Sequence, residues 1–282
     1  MPPPDQQPVP RGPLAVRWHD CRIGPVRAGA LHTATVELEN AGSAAWHSLP
    51  HSGIWLGYHW LDRRGNPLVW EGLRTQLPRP IAAGERMSVE LAVRGPLPPG
   101  PYRLALDLVE EGRFWLAELG NAQLELDLEV APRIERRLAV RMSAPHAGTE
   151  RALAALAEPL VPEVDAEAIA YLAPGCLPAQ DWSRRVLDAH AEGYAVVAGS
   201  IEPRGSPLGR RRLAAALRPW APGSGRVPDF SHPYLCPSVV RDLEPSWLPE
   251  VEGLPAAERP ADRLFGEPWL YDGRIALALR PP

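Results

Sequence analysis

The sequence predicts a mainly β protein that continues into a small α/β layer, and three observations carry that reading. Over the first half, apolar residues recur at every second position in short segments, the period of a strand with one buried face. About seven such segments fall within roughly 120 residues, and sheets of that number bury their apolar faces by packing on one another as a sandwich. Past Pro132 the alternation gives way to strand, helix and strand in quick succession, the order of an α/β layer.

The chain opens on a polar, proline-rich arm, MPPPDQQPVPRGP, which is expected to be disordered over residues 1–13. It lacks the basic stretch and apolar run of a signal peptide, and no apolar run approaches the roughly 20 residues of a membrane span. A cytoplasmic protein is therefore expected, with no membrane span. The first strand alternates Leu14, Val16 and Trp18 with Arg17 and His19. The second sets Ala34, Val36 and Leu38 against Thr35, Glu37 and Glu39, and ends at the turn Asn40-Ala41-Gly42. Ile54 to Leu61 is a longer apolar strand closed by the polar turn Asp62 to Asn66. Met87 to Val93, Tyr102 to Leu108 and Leu124 to Val130 repeat the two-residue period. Gly100-Pro101-Tyr102 at a strand entry has the form of a tyrosine corner, so an immunoglobulin-like sandwich is expected over residues 14–131.

In the second half, Thr149 is positioned to cap a short Ala/Leu helix that stops before Pro159. Ala168 to Leu172 reads as a short buried strand leading into Ala173-Pro174-Gly175. Asp181 to about Glu192 reads as a helix with Trp182, Val186 and Ala189 on one face and Gly193 as its stop. Tyr194 to Ile201 is a further buried strand, and Ile275, Leu277 and Leu279 alternate in a last one after an Asp272-Gly273 turn. The Pro/Gly/Arg-rich stretch 204–268 is expected to be dominated by loop, and residues 132–282 are expected to form the small α/β domain.

Composition excludes several functions. A net charge of −4 leaves no basic footprint for nucleic acid, and all 30 basic residues are arginine. Cys21, Cys176 and Cys236 form no CxxC pair, which points to reduced thiols rather than a zinc or redox motif. His47, His51 and His59 cluster around one strand without metal-ligand spacing and are expected at the surface or a sheet edge. Asp229, Ser231 and His232 are sequence neighbours without a Gly-x-Ser-x-Gly elbow, so no hydrolase triad is expected. No metal or cofactor is expected.

Several separated motifs add a resemblance. Asn40-Ala41-Gly42-Ser43 with Trp46 is followed by Leu56-Gly57-Tyr58-His59-Trp60 and by Gly72-Leu73-Arg74-Thr75-Gln76-Leu77-Pro78. Then come Ala83-Gly84-Glu85, Pro99 to Tyr102, and Asp107 to Gly112 with Trp115. This pattern resembles the immunoglobulin-like accessory domain found beside glycosyltransferases and methyltransferases in bacterial glycan gene clusters, a binding or positioning module. In the second half, Tyr171 to Pro178 with Trp182, Val196 to Ser200, Trp220-Ala221-Pro222-Gly223 and Gly273 to Pro281 resemble the later part of a family-2, GT-A-type glycosyltransferase. By that resemblance the two metal- and nucleotide-binding carboxylates fall at Ala173 and Gly175. Neither offers an oxygen to a divalent cation. The Glu-Asp pair that supplies the family's base has only Glu258 and Asp262 as counterparts. The segment ahead of Leu172, about 40 residues, is also short for a nucleotide-binding half built on crossover helices.

The resemblance thus implies a truncated, partial GT-A-like domain, and the expected function is a non-catalytic binding or scaffold protein of bacterial glycan biosynthesis. Its partner would be a glycan or a glycan-assembly enzyme, with the oligomeric state open. A metal-independent or partner-completed transferase would need Asp181, Glu202 or Asp262 as stand-in acids; a protein–protein adaptor is the third reading. The tryptophans are dense around the strand 54–61, and Trp55 and His59 face away from the core-facing set Ile54, Leu56, Tyr58 and Trp60. Flat rings on an open sheet face stack on sugars or seal against a neighbouring domain or loop. Trp55, His59, Trp70 and Arg74 are therefore the ligand- or partner-binding candidates, with Arg74 also placed to pair with Glu71 or Asp107. Arg210, Arg211 and Arg212 form a short basic run, either a solvated helix face or a contact for an anionic glycan.

Overall fold

The computed structural model describes residues 9–142, 144–208, 210–211, 215, 236–243 and 267–279. The chain divides into two compact units, Met1–Ala131 and Pro132–Pro282.

The first unit is all β. Its strands are β1 (Val16–Ile23), β2 (Leu31–Asn40), β3 (Ser48–Leu49), β4 (Ser52–Leu61) and β5 (Pro67–Val69), then β6 (Thr75–Gln76), β7 (Arg86–Arg94), β8 (Gly100–Glu110), β9 (Phe114–Trp115) and β10 (Leu124–Val130). They form two antiparallel sheets, β1-β2-β7 and β10-β8-β4-β3, with β5 and β6 on β4 and β9 on β8. These orders are those of the A-B-E and G-F-C sheets of an immunoglobulin-type sandwich. The two-residue period does the work. Trp18, Val36, Leu38, Val89 and Leu91 from one sheet meet Ile54, Leu56, Tyr58, Trp60, Leu104 and Leu106 from the other in one core. Each such side chain taken fully out of water contributes about 1.5–3 kcal/mol.

Polar ends of the large rings are satisfied. Trp18 donates to the Ala122 carbonyl at 2.7 Å and Trp60 to that of Arg94 at 2.8 Å. The Tyr102 hydroxyl donates to the Pro98 carbonyl at 2.6 Å, tying the entry of β8 to the preceding corner as the sequence predicts. The end of the N-terminal arm joins the fold, since the Gly12 and Pro13 carbonyls accept from the Ser43 and Ala44 amides.

The second unit holds β11 (Leu138–Met142), α1 (Ala147–Ala154), β12 (Ala168–Leu172), β13 (Cys176–Pro178), α2 (Trp182–Glu192), β14 (Val196–Pro203), β15 (Ser238–Val240) and β16 (Trp269–Leu279). The strands make one mixed sheet in the order β11-β12-β15-β14-β16-β13. Only β11/β12 and β14/β16 run parallel. Helix α2 buries Trp182, Val186 and Leu187 in the same core as Leu172, Val196 and Leu277. Gly193 ends it with φ of 122°, as predicted.

Two local expectations are corrected. Thr149 does not cap α1: His146, extended at φ −147°, is the cap, and its Nδ1 accepts from the Thr149 amide. Asp272-Gly273 is not a turn between elements but an irregularity inside β16, where pairing with β14 jumps from Gly199–Asp272 to Ser200–Ala276. Extra residues on one strand are accommodated without ending it, and a Asp-Gly pair reads the same either way in sequence.

Candidate functional site

The outer face of the β4-bearing sheet carries the candidate residues. On β4 the odd positions Trp55, Gly57 and His59 point away from the core, opposite Val109, Asp107 and Ala105 of β8. Gly57 makes a close fit there: a Cβ would lie 3.0 Å from the Cη2 and Cζ3 atoms of Trp115, close enough to push the ring back by a few tenths of an ångström. The Trp115 indole therefore lies across bare backbone, buried to 5% exposure. Beyond β5 the chain returns over this face. Gly72 donates its amide to the Tyr58 carbonyl at 3.0 Å, and a Cβ at Gly72 would come within 2.4 Å of that oxygen. This close approach lays Trp70 down on His59.

The resulting stack is compact. His59 and Trp70 lie nearly parallel, 3.9 Å apart with 16° between planes, and Trp115 meets His59 edge-on at 4.2 Å. The Arg74 guanidinium caps Trp115 at 4.3 Å, a cation–π contact. Arg74 also donates to Glu111 at 3.2 Å, to the Gly72 carbonyl at 3.0 Å and to Glu71. Its carboxylate partners are thus Glu71 and Glu111, and the expectation of Asp107 as a partner is corrected. Asp107 is instead wholly buried, accepting from the Leu108 and Ala117 amides and from Gln123, and burial pushes its carboxyl up to about 6.

His59 corrects another expectation. His47 and His51 are exposed, but His59 is fully buried, because the returning chain covers it with Trp70. Its Nδ1–H donates to the Trp70 carbonyl, and burial holds its pKa below the usual imidazole value. The ring is therefore neutral, with Nε2 as an acceptor that has no partner among the described residues.

Of the four predicted binding residues the structure brings three together: His59, Trp70 and Arg74. Trp55 shares the sheet face but makes no ring stack with them among the described residues; its indole N–H donates to the Ser52 carbonyl. Trp70 uses one indole face on His59 and remains 46% exposed. Leu68, Val69 and Leu73 around it are also exposed. Sequence reasoning passed over Trp115 and Glu111 as members of the site. The signal was Gly57, a glycine inside a strand at an outward position, which marks a close approach by another group.

The second unit places the acids apart in role. Asp181 is held by Arg185 at 2.7 Å, which keeps its carboxyl below the usual range. Glu202 is exposed on β14. Asp262 lies outside the described residues, as do Arg212, Glu258, the segments Trp220–Gly223 and Asp229–His232, and residues 1–8. At the tip of β12, the turn Ala173-Pro174-Gly175 is fastened by the Gly175 amide donating to the Thr149 hydroxyl at 3.1 Å. Cys176 and Cys236, distant in sequence, meet beside it with their sulfurs 3.3 Å apart. Among the described residues no group of three or more His, Cys, Asp or Glu is placed to hold a metal ion, and no helix is long and apolar enough to cross a membrane.

The chain matches no known family model, and no curated protein is similar to it in sequence. Among solved structures it is similar to the C-terminal domain of Wzt, at 10% identity and a TM-score of 0.29 over 45% of this chain and 78% of that one. It is also similar to a PapD-like domain of human CEP192, at 15% identity and 0.22 over 44% and 91%. A family 123 glycoside hydrolase from Clostridium perfringens aligns at 9% identity and 0.22 over 65% and 37%. At these values the likeness assigns no function.

Proposed function

We propose that the protein is a non-catalytic binding or scaffold protein of bacterial glycan assembly whose sandwich takes a carbohydrate on the outward face of Trp70. One observation carries this reading. An indole is braced flat by a parallel stack on His59, itself held by Trp115 and the Arg74–Glu111 pair, while nearly half of it stays in solvent. A flat apolar ring fixed in advance accepts the C–H face of a pyranose at little entropic cost. Glu71, next to Trp70 in the chain and largely exposed, offers an acceptor to the sugar hydroxyls.

The second unit is read as a degenerate transferase-like domain. That part rests on the resemblance of Tyr171 to Pro178 and on the methyl group and bare backbone at Ala173 and Gly175, where a cation-binding strand tip needs oxygens. An adaptor role has its own support in the exposed apolar residues Leu68, Val69 and Leu73 near Trp70 in the chain, which a protein surface could cover. Immobilised protein exposed to cell lysate separates these readings. A glycan binder elutes with oligosaccharide, whereas an adaptor elutes with protein alone. Titration with UDP- and GDP-sugars in the presence of Mn²⁺ is expected to give no heat; micromolar, metal-dependent binding would refute the non-catalytic reading.

A further inference from the structure

We propose that Cys176 and Cys236 are a site of oxidative modification, closing to an intramolecular disulfide when a peroxide-class oxidant reaches them. The fold brings the two together by separate routes. Cys176 opens β13 directly after the tight turn at the tip of β12, its amide donating to the Ala173 carbonyl. Cys236 arrives beside the same tip because the next carbonyl along, that of Pro237, accepts from the Tyr171 amide at 2.8 Å. Their sulfurs stand 3.3 Å apart. Both are buried, at 0% and 3% exposure. Bond formation needs an approach of only about 1.3 Å.

The backbone adds a second observation. Cys236 holds φ of 45°, in the left-handed region that residues with side chains rarely occupy. Strain of this kind persists where the surrounding structure imposes it, and it often marks a switch or a site. Here it occurs at the residue whose thiol meets another.

The chemistry is asymmetric and balanced. The Cys236 S–H beside it draws the Cys176 thiol down, while the same contact and burial push Cys236 up, so Cys176 is the one that ionises. Its thiolate attacks one peroxide oxygen and the O–O bond breaks, leaving Cys176 sulfenic acid and a hydroxide that takes back the proton Cys176 gave up and becomes water. The Cys236 sulfur then attacks the Cys176 sulfur, its proton leaves with the departing hydroxyl as a second water, and the S–S bond forms. Two thiols and one hydrogen peroxide become one disulfide and two waters. Cys21 is an internal control: burial and Asp20 push its thiol up to about 11, far from thiolate at neutral pH.

The test treats the reduced full-length protein with hydrogen peroxide, quenches with an alkylating reagent and maps peptides without reduction. The expected result is a fall in titratable thiols from three to one. A peptide joining Cys176 to Cys236 should appear, lighter by two hydrogens and reversed by dithiothreitol. The linked form should also melt several degrees higher, since the bond restricts the unfolded chain. Cys176→Ser should abolish the linked peptide and leave Cys236 open to alkylation. The wild-type map decides the matter even if that variant fails to fold. Three thiols surviving oxidation, a bond that includes Cys21, or oxidation to sulfinic acid without linkage would overturn the proposal.

Discussion

At the scale of single residues, the candidate site depends on positions where a side chain is missing as much as on those where one is present. Gly57 leaves room for the Trp115 ring, and a methyl group there would meet that ring at 3.0 Å. Gly57→Ala should therefore displace Trp115 and loosen the His59–Trp70 stack. The expected cost is about 1–3 kcal/mol in urea denaturation, with a blue- or red-shifted tryptophan emission maximum as the local readout. An unchanged spectrum and midpoint would mean that the sheet face yields freely. His59 shows why a single residue is hard to read from sequence. Its outward position on β4 was legible from the two-residue period, but its burial was not. Burial came from a returning chain segment whose path is set by the Gly72 contact with Tyr58.

Among the elements, the tyrosine corner gives the plainest check. Tyr102→Phe removes one hydrogen bond from hydroxyl to the Pro98 carbonyl and leaves the buried ring in place, so a loss of about 1 kcal/mol is expected in urea unfolding. No loss would show that the corner is held by ring packing alone. The strands β2 and β7 and the helix α2 were legible because each buries one face over enough residues for the period to show, and β4 and β8, buried on both faces along much of their length, because they are long apolar runs. Among the short strands, β12 showed as an unbroken apolar run, whereas β11, interrupted by Arg141, and the three-residue β13 and β15 offered neither a run nor a period. Thr149 misled for a different reason. It is a good capping residue, but histidine in the extended conformation took the position, and the threonine hydroxyl went to the Gly175 amide instead. The pairing of Arg74 could be narrowed to nearby carboxylates but not chosen among them, because Glu111 reaches it only through the β8–β9 hairpin.

Across the whole molecule, the two units are expected to respond to acid in opposite directions. Asp107 in the first unit has its carboxyl raised by burial to about 6. Its native state binds the extra proton, so its contribution is fully present below about pH 4 and is lost as pH rises through 6, a span on the order of 3 kcal/mol. His190 in the second unit is wholly buried, its Nδ1–H donating to the Tyr194 carbonyl and its Nε2 accepting from Ser238. Burial lowers it to about 4. Its unfolded form binds the extra proton, so stability is fully present above about pH 6.5 and is lost as pH falls toward 4, again on the order of 3 kcal/mol. Calorimetry of the full chain between pH 4 and 7 should show these slopes. Asp107→Asn should flatten the first and His190→Gln the second; slopes unmoved by both variants would contradict the assignment.

The claim on which the functional account rests is that the exposed face of Trp70 is a platform for a sugar ring. Calorimetric titration of the intact protein with oligosaccharides released from a bacterial glycan preparation, run beside Trp70→Ala, tests it most directly. Trp70 is half in solvent, so the variant is expected to fold, which its circular dichroism checks. The wild type should bind measurably and the variant at least tenfold more weakly, about 1.4 kcal/mol or more. Equal affinity in the two proteins would contradict the claim.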